Sequence, residues 1–287
     1  MKILVLGAGG QVGRAVVRAM PAAHAVVGKT RAEIDIADAP AIAALLDRHA
    51  FDWIVNAAAY TAVDLAEDEQ AQARAVNDTA VGVLTQAAGR AGCRLAHLST
   101  DFVFDGASSR AYTPADTPNP LSVYGKTKLA GERRVLDARA GLVLRTAWVY
   151  ASAGRNFVLT MLKLMREREE LRVVCDQIGA PTWAGGLGAA ICSLIEADVA
   201  PGVYHWTDLG VASWYDFAVA VQEEALARGL LMRAVPIRPI RSGEYPTRAR
   251  RPAFSVLDTD STRALIGAPA RHWRQNLRMM LDELRGA

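Results

Sequence analysis

The chain opens on Lys2–Leu6, four aliphatic residues behind one lysine, followed at once by glycines and then by a run with helical spacing, Val12–Met20. A short continuous apolar run bounded by glycine reads as a strand buried on both faces, as the strands of parallel sheets are. The alternation continues. The pattern predicts strands over His24–Gly28, Trp53–Asn56, Arg94–Ser99 and Gly141–Leu144, and helices over Ala39–His49, Glu67–Ala91 and Ser122–Leu136. Strand alternating with helix along the first 150 residues predicts an α/β fold, a Rossmann-type doubly wound parallel sheet.

Beyond residue 150 the rhythm changes. Helices are predicted over Asn156–Arg168, Ala184–Glu196, Trp214–Arg228 and Arg271–Leu284, with strands at Leu171–Val174 and Val203–Trp206. The segment Asp176–Trp183 reads as a loop, and Pro236–Pro252, with four prolines and many arginines, as extended loop. The expected organisation is a dinucleotide-binding domain over 1–150 and a smaller C-terminal substrate-binding lobe over 151–287, interleaved with the first through a returning segment near 184–210.

Composition changes this picture little. Hydrophobic residues make up 51% of the chain and charged residues 22%, and the net charge is +3. That is an ordinary globular balance, with no field that would point to nucleic acid or an anionic membrane. The three cysteines, Cys93, Cys175 and Cys192, show neither disulfide-framework nor metal-ligand spacing, so a reducing cytoplasm is expected and no metal. The opening apolar run is too short for a bilayer and lacks a cleavage site, so no secretory leader is expected.

Three motifs carry chemistry. Gly7, Gly10 and Gly13 follow the first strand and open a helix; glycines there let the chain turn tightly and a pyrophosphate approach backbone amides. Taken alone, the triplet is weak evidence, the competing reading being an ordinary strand-to-helix turn; its place at the start of a βαβ unit is what lifts it. Tyr124 and Lys128 stand four apart behind Ser122, a candidate helix cap, which puts phenol and ammonium on one helix face. A cation beside a phenol favours the phenolate and is expected to draw its pKa down toward the working range; the competing reading is a solvated helix face. Ser99, Thr100 and Asp101 end a predicted strand, at the sheet edge where ligands bind in such folds, although all three are also common turn caps.

Together with Asn56–Asp64, Ser99–Gly106, Tyr124–Lys128, Arg145–Tyr150, Asp176–Thr182 and Tyr245–Pro252, these motifs give a sequence that resembles the extended short-chain dehydrogenases. Within them it is similar to the dTDP-4-dehydrorhamnose reductases, over nearly the whole chain. The resemblance implies an NADPH-dependent reductase of a nucleotide-sugar ketone. Tyr124 is then the proton donor, Lys128 its tuner and the ribose ligand, and Thr100 the partner of the keto oxygen. Asp101, Phe102 and Trp148 would line the substrate site, with core packing an even alternative for Phe102. Gly10, Gln11 and Val12 would meet the diphosphate, Ala59 and Tyr60 its far side, and Asp35 and Ile36 the adenine.

Strand two is expected to end in Gly28-Lys29-Thr30-Arg31, with no acid before Glu33. Lys29 and Arg31 therefore favour a 2′-phosphate and NADPH, with NADH possible and both cations facing solvent as the alternative. Related dehydratases follow the threonine with Asp-Glu; here Phe102 follows Asp101, which favours reduction over elimination. Some family members hold Mg²⁺ through glutamates at a dimer interface beside the glycine turn. Arg14 and Ala15 occupy that place, so a homodimer, if formed, is expected to do without that cluster. Arg248, Arg250 and Arg251 suit a substrate diphosphate or a solvated loop equally. Two alternatives remain at this point: a reductase of another 4-keto-6-deoxy sugar nucleotide, and a non-catalytic regulatory subunit of the methionine adenosyltransferase β type.

Overall fold

The computed structural model describes residues 1–139, 141–269 and 271–286. In its first half the order is β1 (Lys2–Leu6), α1 (Gln11–Ala19), β2 (Ala25–Lys29), α2 (Ala39–Arg48), β3 (Trp53–Asn56), α3 (Gln70–Arg74), α4 (Ala80–Ala91), β4 (Arg94–Thr100), α5 (Val123–Asp137) and β5 (Gly141–Thr146). There follow β6 (Val149–Tyr150), α6 (Phe157–Glu167), β7 (Leu171–Val174), β8 (Ile178–Gly179), β9 (Thr182–Trp183), α7 (Ala184–Glu196), β10 (Gly202–His205), β11 (Ala212–Ser213), α8 (Trp214–Ala227), β12 (Ile237–Ile240), α9 (Asp260–Ile266) and α10 (Trp273–Arg285).

Six strands form one parallel sheet in the order β10-β5-β4-β3-β1-β2. Alternate residues feed opposite faces, as the pleat requires. Ile3, Val5, Trp53, Val55 and Leu144 join one core with α1 and α7, while Leu4, Leu6, Ile54, Leu95 and Val143 join another with α2 and α4. Burial on both faces is why these strands read as unbroken apolar runs. Helix α7 packs on α1 and β10 pairs with β5, so the segment 184–205 lies on the large sheet. A third core, built around Tyr150, Phe217, Trp273 and Leu277, fills the C-terminal lobe. No helix among the described residues is long and apolar enough to cross a membrane.

Several expectations are corrected. The helix expected over Glu67–Ala91 begins at Gln70 and contains a π-helical turn, Ala75–Thr79. The wide turn directs two polar residues inward: Asn77 bonds both backbone groups of Tyr60, and Asp78 pairs with Arg134 at 2.9 Å. Such bulges break the 3.6-residue period on which a helical reading depends. The Pro-rich stretch expected as loop contains β12, which pairs in parallel with β7. The two-residue strands β6, β8, β9 and β11 escaped prediction because a pattern of two alternating positions carries no signal above chance, and the seven-residue helix α9 because two turns are too short to show a clear helical period.

Helix α5 carries Tyr124 and Lys128, and three contacts fix where it lies. Ser122 caps it by accepting from Gly125 N at 3.1 Å, and Glu67 Oε1 accepts from Val123 N at 2.9 Å. Two turns in, Glu132 takes Arg145 of β5 in a bidentate pair, Nε and Nη2 to the two carboxylate oxygens at 2.9 and 2.7 Å, with both side chains buried. Removing one member of such a pair strands the other charge away from water. Glu132→Gln is therefore expected to lower unfolding stability by about 3–5 kcal/mol, read as a fall in the urea midpoint at unchanged m.

Candidate active site

The chain crosses from one side of the large sheet to the other between β1 and β3, and the carboxyl ends of β1, β3, β4 and β5 open there into a trough. Such a switch point is where open α/β sheets bind ligands. One end is a cavity of about 270 Å³ between Gly7, Gly10, Arg31, Asp35, Ile36, Ala59 and Tyr60. It shares Gly9, Gly10, Ala57 and Ala59 with a larger cavity of about 740 Å³, walled by Thr100, Tyr124, Lys128, Trp148, Trp214 and Arg251.

The glycine turn is fixed by sterics. Gly7 has φ +77°, and a Cβ on it would lie 2.7 Å from Ala58 N; a Cβ on Gly13 would strike the carbonyl of Gly7. Only bare backbone lets β1, the turn and α1 close so tightly. The amino end of α1 then points its free N–H groups into the trough, with no acidic residue in its first turn, a ready site for an anion. Gln11 and Val12 line the larger cavity. Gln11 also accepts from Asn156 Nδ2 at 3.1 Å and donates to Arg155 O at 3.3 Å, fastening the second lobe over the turn.

At the far end, β4 delivers Ser99 and Thr100, and a single 3₁₀ turn, Asp101–Val103, follows. Thr100 Oγ1 donates to Asp101 at 3.0 Å and accepts from Phe102 N at 3.2 Å. Phe102 meets the Tyr124 ring edge-on at 5.7 Å. Gly125 makes this approach possible, because a Cβ there would collide with the Phe102 carbonyl. Three buried polar atoms on the floor, Ser99 Oγ, Asp101 Oδ2 and Thr146 Oγ1, have no hydrogen-bond partner among the described residues. An unpaired buried polar atom costs roughly 1–3 kcal/mol, so this floor is shaped to bond something the protein does not itself supply.

The electrostatics differ from the simplest expectation. Burial pushes the Tyr124 phenol up to about 12; the Thr100 hydroxyl opposes this and the Asp101 carboxylate adds to it. Lys128 does not draw the phenol down. Its Nζ instead donates to Leu98 O at 2.6 Å, and burial lowers it to about 8 against the attraction of Glu132. Asp101 rises to about 6, chiefly through burial. At neutral pH the phenol therefore keeps its proton while the ammonium holds its own loosely.

Not every expected residue reaches the trough. Lys29 lines neither cavity and turns to Glu33 at 3.4 Å, leaving Arg31 as the cation at the small cavity, paired with Asp35 at 3.7 Å. Arg251 stands in the large cavity, held bidentate by Asp64 at 3.0 and 2.7 Å. Arg248 pairs with Asp68 outside it, and Arg250 is exposed. Trp148, at φ +47°, stacks flat on Trp214, with ring centroids 3.4 Å apart. Trp214 was not anticipated; it comes from α8 and only the packing of the lobes brings it here. Glu132 was also missed, although its spacing carried the signal: Tyr124, Lys128 and Glu132 recur every four residues along one face.

A family model described as RmlD substrate binding domain matches residues 1–286. The dTDP-4-dehydrorhamnose reductase of Burkholderia thailandensis is 41% identical over 295 residues, covering 99% of both chains. The dTDP-4-keto-6-deoxy-D-glucose reductase of Streptomyces niveus is 40% identical over 273 residues, covering 94% of this chain and 93% of that one. Among solved structures, the dTDP-4-dehydrorhamnose reductase of Bacillus anthracis in complex with NADP superposes with a TM-score of 0.93 at 30% identity, covering 98% of this chain and 99% of the other.

Gly125→Ala tests the close approach that builds the site. The added methyl is expected to push α5 from the 3₁₀ turn, separate Tyr124 from Thr100, and cost about 1–3 kcal/mol, measured by urea unfolding and a crystal structure of the variant.

Proposed function

The chain belongs to the family described as RmlD substrate binding domain, and on that premise we propose that it reduces the C4 ketone of dTDP-4-dehydro-L-rhamnose to dTDP-L-rhamnose with NADPH. The observation that carries this is the convergence of Thr100, Tyr124 and Lys128 on one wall of a trough whose other end is a glycine turn. The residues fit a nicotinamide dinucleotide: the bare turn and the open helix end suit its diphosphate, and the orphaned Ser99 and Thr146 hydroxyls face the larger cavity. When bound, that cofactor supplies the hydride.

The chain's own groups supply everything else. Thr100 and Tyr124 hold the ketone oxygen between two hydroxyls. Tyr124 gives its proton to that oxygen as C4 gains hydride, so that the carbonyl becomes an alcohol and the phenol a phenolate. A phenol held up at about 12 is fully protonated at neutral pH, as a donor must be, and an ammonium near 8 next to it can return the proton. The stacked Trp148 and Trp214 offer a flat apolar wall for the sugar, and Arg251 places a guanidinium in the same cavity for the anionic diphosphate. Arg31 is the group we assign to the 2′-phosphate of NADPH.

A second reading, reduction of another 4-keto-6-deoxy sugar nucleotide, is favoured by the comparable match to the Streptomyces niveus enzyme; NMR of the product separates the two by stereochemistry at C4. A purely regulatory role is disfavoured by the complete Thr100, Tyr124 and Lys128 set on the cavity wall, and would show as NADPH binding without turnover.

Tyr124→Phe is expected to lower kcat by about 10²- to 10⁴-fold while NADPH affinity by titration changes little, because the lost group acts on the reacting oxygen. Arg31→Ala is expected to reduce the ratio of kcat/KM for NADPH over NADH about tenfold, the weight of one charge-assisted contact. An unchanged ratio would remove Arg31 from the cofactor site.

A further inference from the structure

Behind the cavity wall runs a buried chain of three side chains. Asn56 ends β3, His97 lies within β4 as its register partner, and both are fully buried. Asn56 Oδ1 accepts from Ala58 N at 3.2 Å, Asn56 Nδ2 lies 3.1 Å from His97 Nδ1, and His97 Nε2 lies 3.5 Å from Lys128 Nζ. A backbone N–H can only donate, so the oxygen of Asn56 must face Ala58 and its NH₂ must face the imidazole. His97 Nδ1 is then the bare acceptor. A neutral imidazole carries one proton, which leaves it on Nε2, facing the lysine.

The ring is neutral. Burial, and after it the charge of Lys128, holds His97 well below its usual pKa. Its other strand neighbour, Val143 of β5, is apolar. Lys128 meets the Leu98 carbonyl from β4 and feels Glu132 one turn later, whose charge is engaged by Arg145; Tyr124 stands one turn earlier on α5, and the Asp101 carboxylate acts on that phenol. An N–H dipole aimed at Nζ suits an amine and repels an ammonium.

We propose that Asn56 fixes His97 in its Nε2–H tautomer, and that this N–H, directed at Lys128, makes the lysine release its proton more readily. Asn56 and His97 are positioning residues: neither lines the cavity. The tautomer stands on the hydrogen-bond geometry alone. Its consequence for catalysis rests on the reduction proposed above, and the two are tested separately.

The direction of the shift depends on which form is opposed. An N–H set against the ammonium lowers the Lys128 pKa, in the same direction as the burial that brings it to about 8. Reduction needs the protonated lysine, so activity is lost as pH rises through that value, and relief of the opposition moves the loss upward. Nitrogen-15 NMR of the histidine rings in the wild-type protein, without substrate, is expected to show His97 protonated at Nε2 and bare at Nδ1. Protonation at Nδ1 overturns the proposal whatever the reaction.

Asn56→Asp keeps the acceptor for Ala58 N and adds one for the imidazole, so the His97 proton is expected to move to Nδ1. The alkaline limb of kcat should then shift upward by about one pH unit, with little change in KM for NADPH. A ring that flips while the limb stays in place sinks the catalytic half. The double variant Asn56→Asp with His97→Leu separates dipole from charge: a limb that moves equally far without the imidazole shows that the new carboxylate acts directly, and also overturns the proposal.

Discussion

The bidentate pair between Glu132 and Arg145 sets where α5 lies on the sheet, and the reactive groups depend on that placement. Both charges are buried, and Arg145 is further enclosed by His205 at 3.4 Å and by the Phe104 ring at 5.1 Å. An ion pair so far from water is tolerated only when its geometry satisfies both partners, which makes it a strict ruler for helix height and rotation. Lys128 and Tyr124 stand one and two turns back along the same face, so their positions are set by an interaction to which neither contributes. Gly125 and Gly131 let the helix settle fully, the first against the Phe102 carbonyl and the second against that of Asn77.

Around that helix the second lobe is stitched into the first rather than appended to it. The contacts of Gln11 with Asn156 and Arg155 join the glycine turn to the segment before α6, while α7 and β10 return to the large sheet. Trp148 lies at the junction in a left-handed backbone conformation that a bulky residue rarely adopts. Gly179 leaves room for its indole, since a Cβ there would lie about 2.5 Å from the ring, and Trp214 covers the other face. Strain held in this way by surrounding packing marks ligand sites more often than inert loops.

Burial is the dominant electrostatic agent in the trough, and it acts oppositely on groups of opposite type. It raises Tyr124 and Asp101 and lowers Lys128, because the charged form is always the one that loses water. A phenol that keeps its proton beside an ammonium that holds its own weakly is the arrangement a ketone reduction needs. The simpler idea that the lysine draws the phenol down does not describe this pair: burial sets the Tyr124 phenol high, at about 12, and one Lys128 N–H goes to the Leu98 carbonyl.

The order of strands and helices in the first half, the glycine turn, the Ser122 cap and the spacing of Tyr124 and Lys128 were all readable in the chain, because each depends on residues within a turn or two of one another. Lys29 and Arg31 read as equals, and each finds a carboxylate four residues on; only the folded cavity, which Arg31 lines and Lys29 does not, separates them. The π turn at Asn77 carries no clear sequence signature, and the pairing of β12 with β7 and the arrival of Trp214 at Trp148 join residues far apart in the chain. The chain by itself determined which chemical groups ride on which element and face. The packing of α5 on β5 and of one lobe on the other decided which groups meet, how dry they are and where their protons lie, since burial and contact belong to the folded surface as a whole.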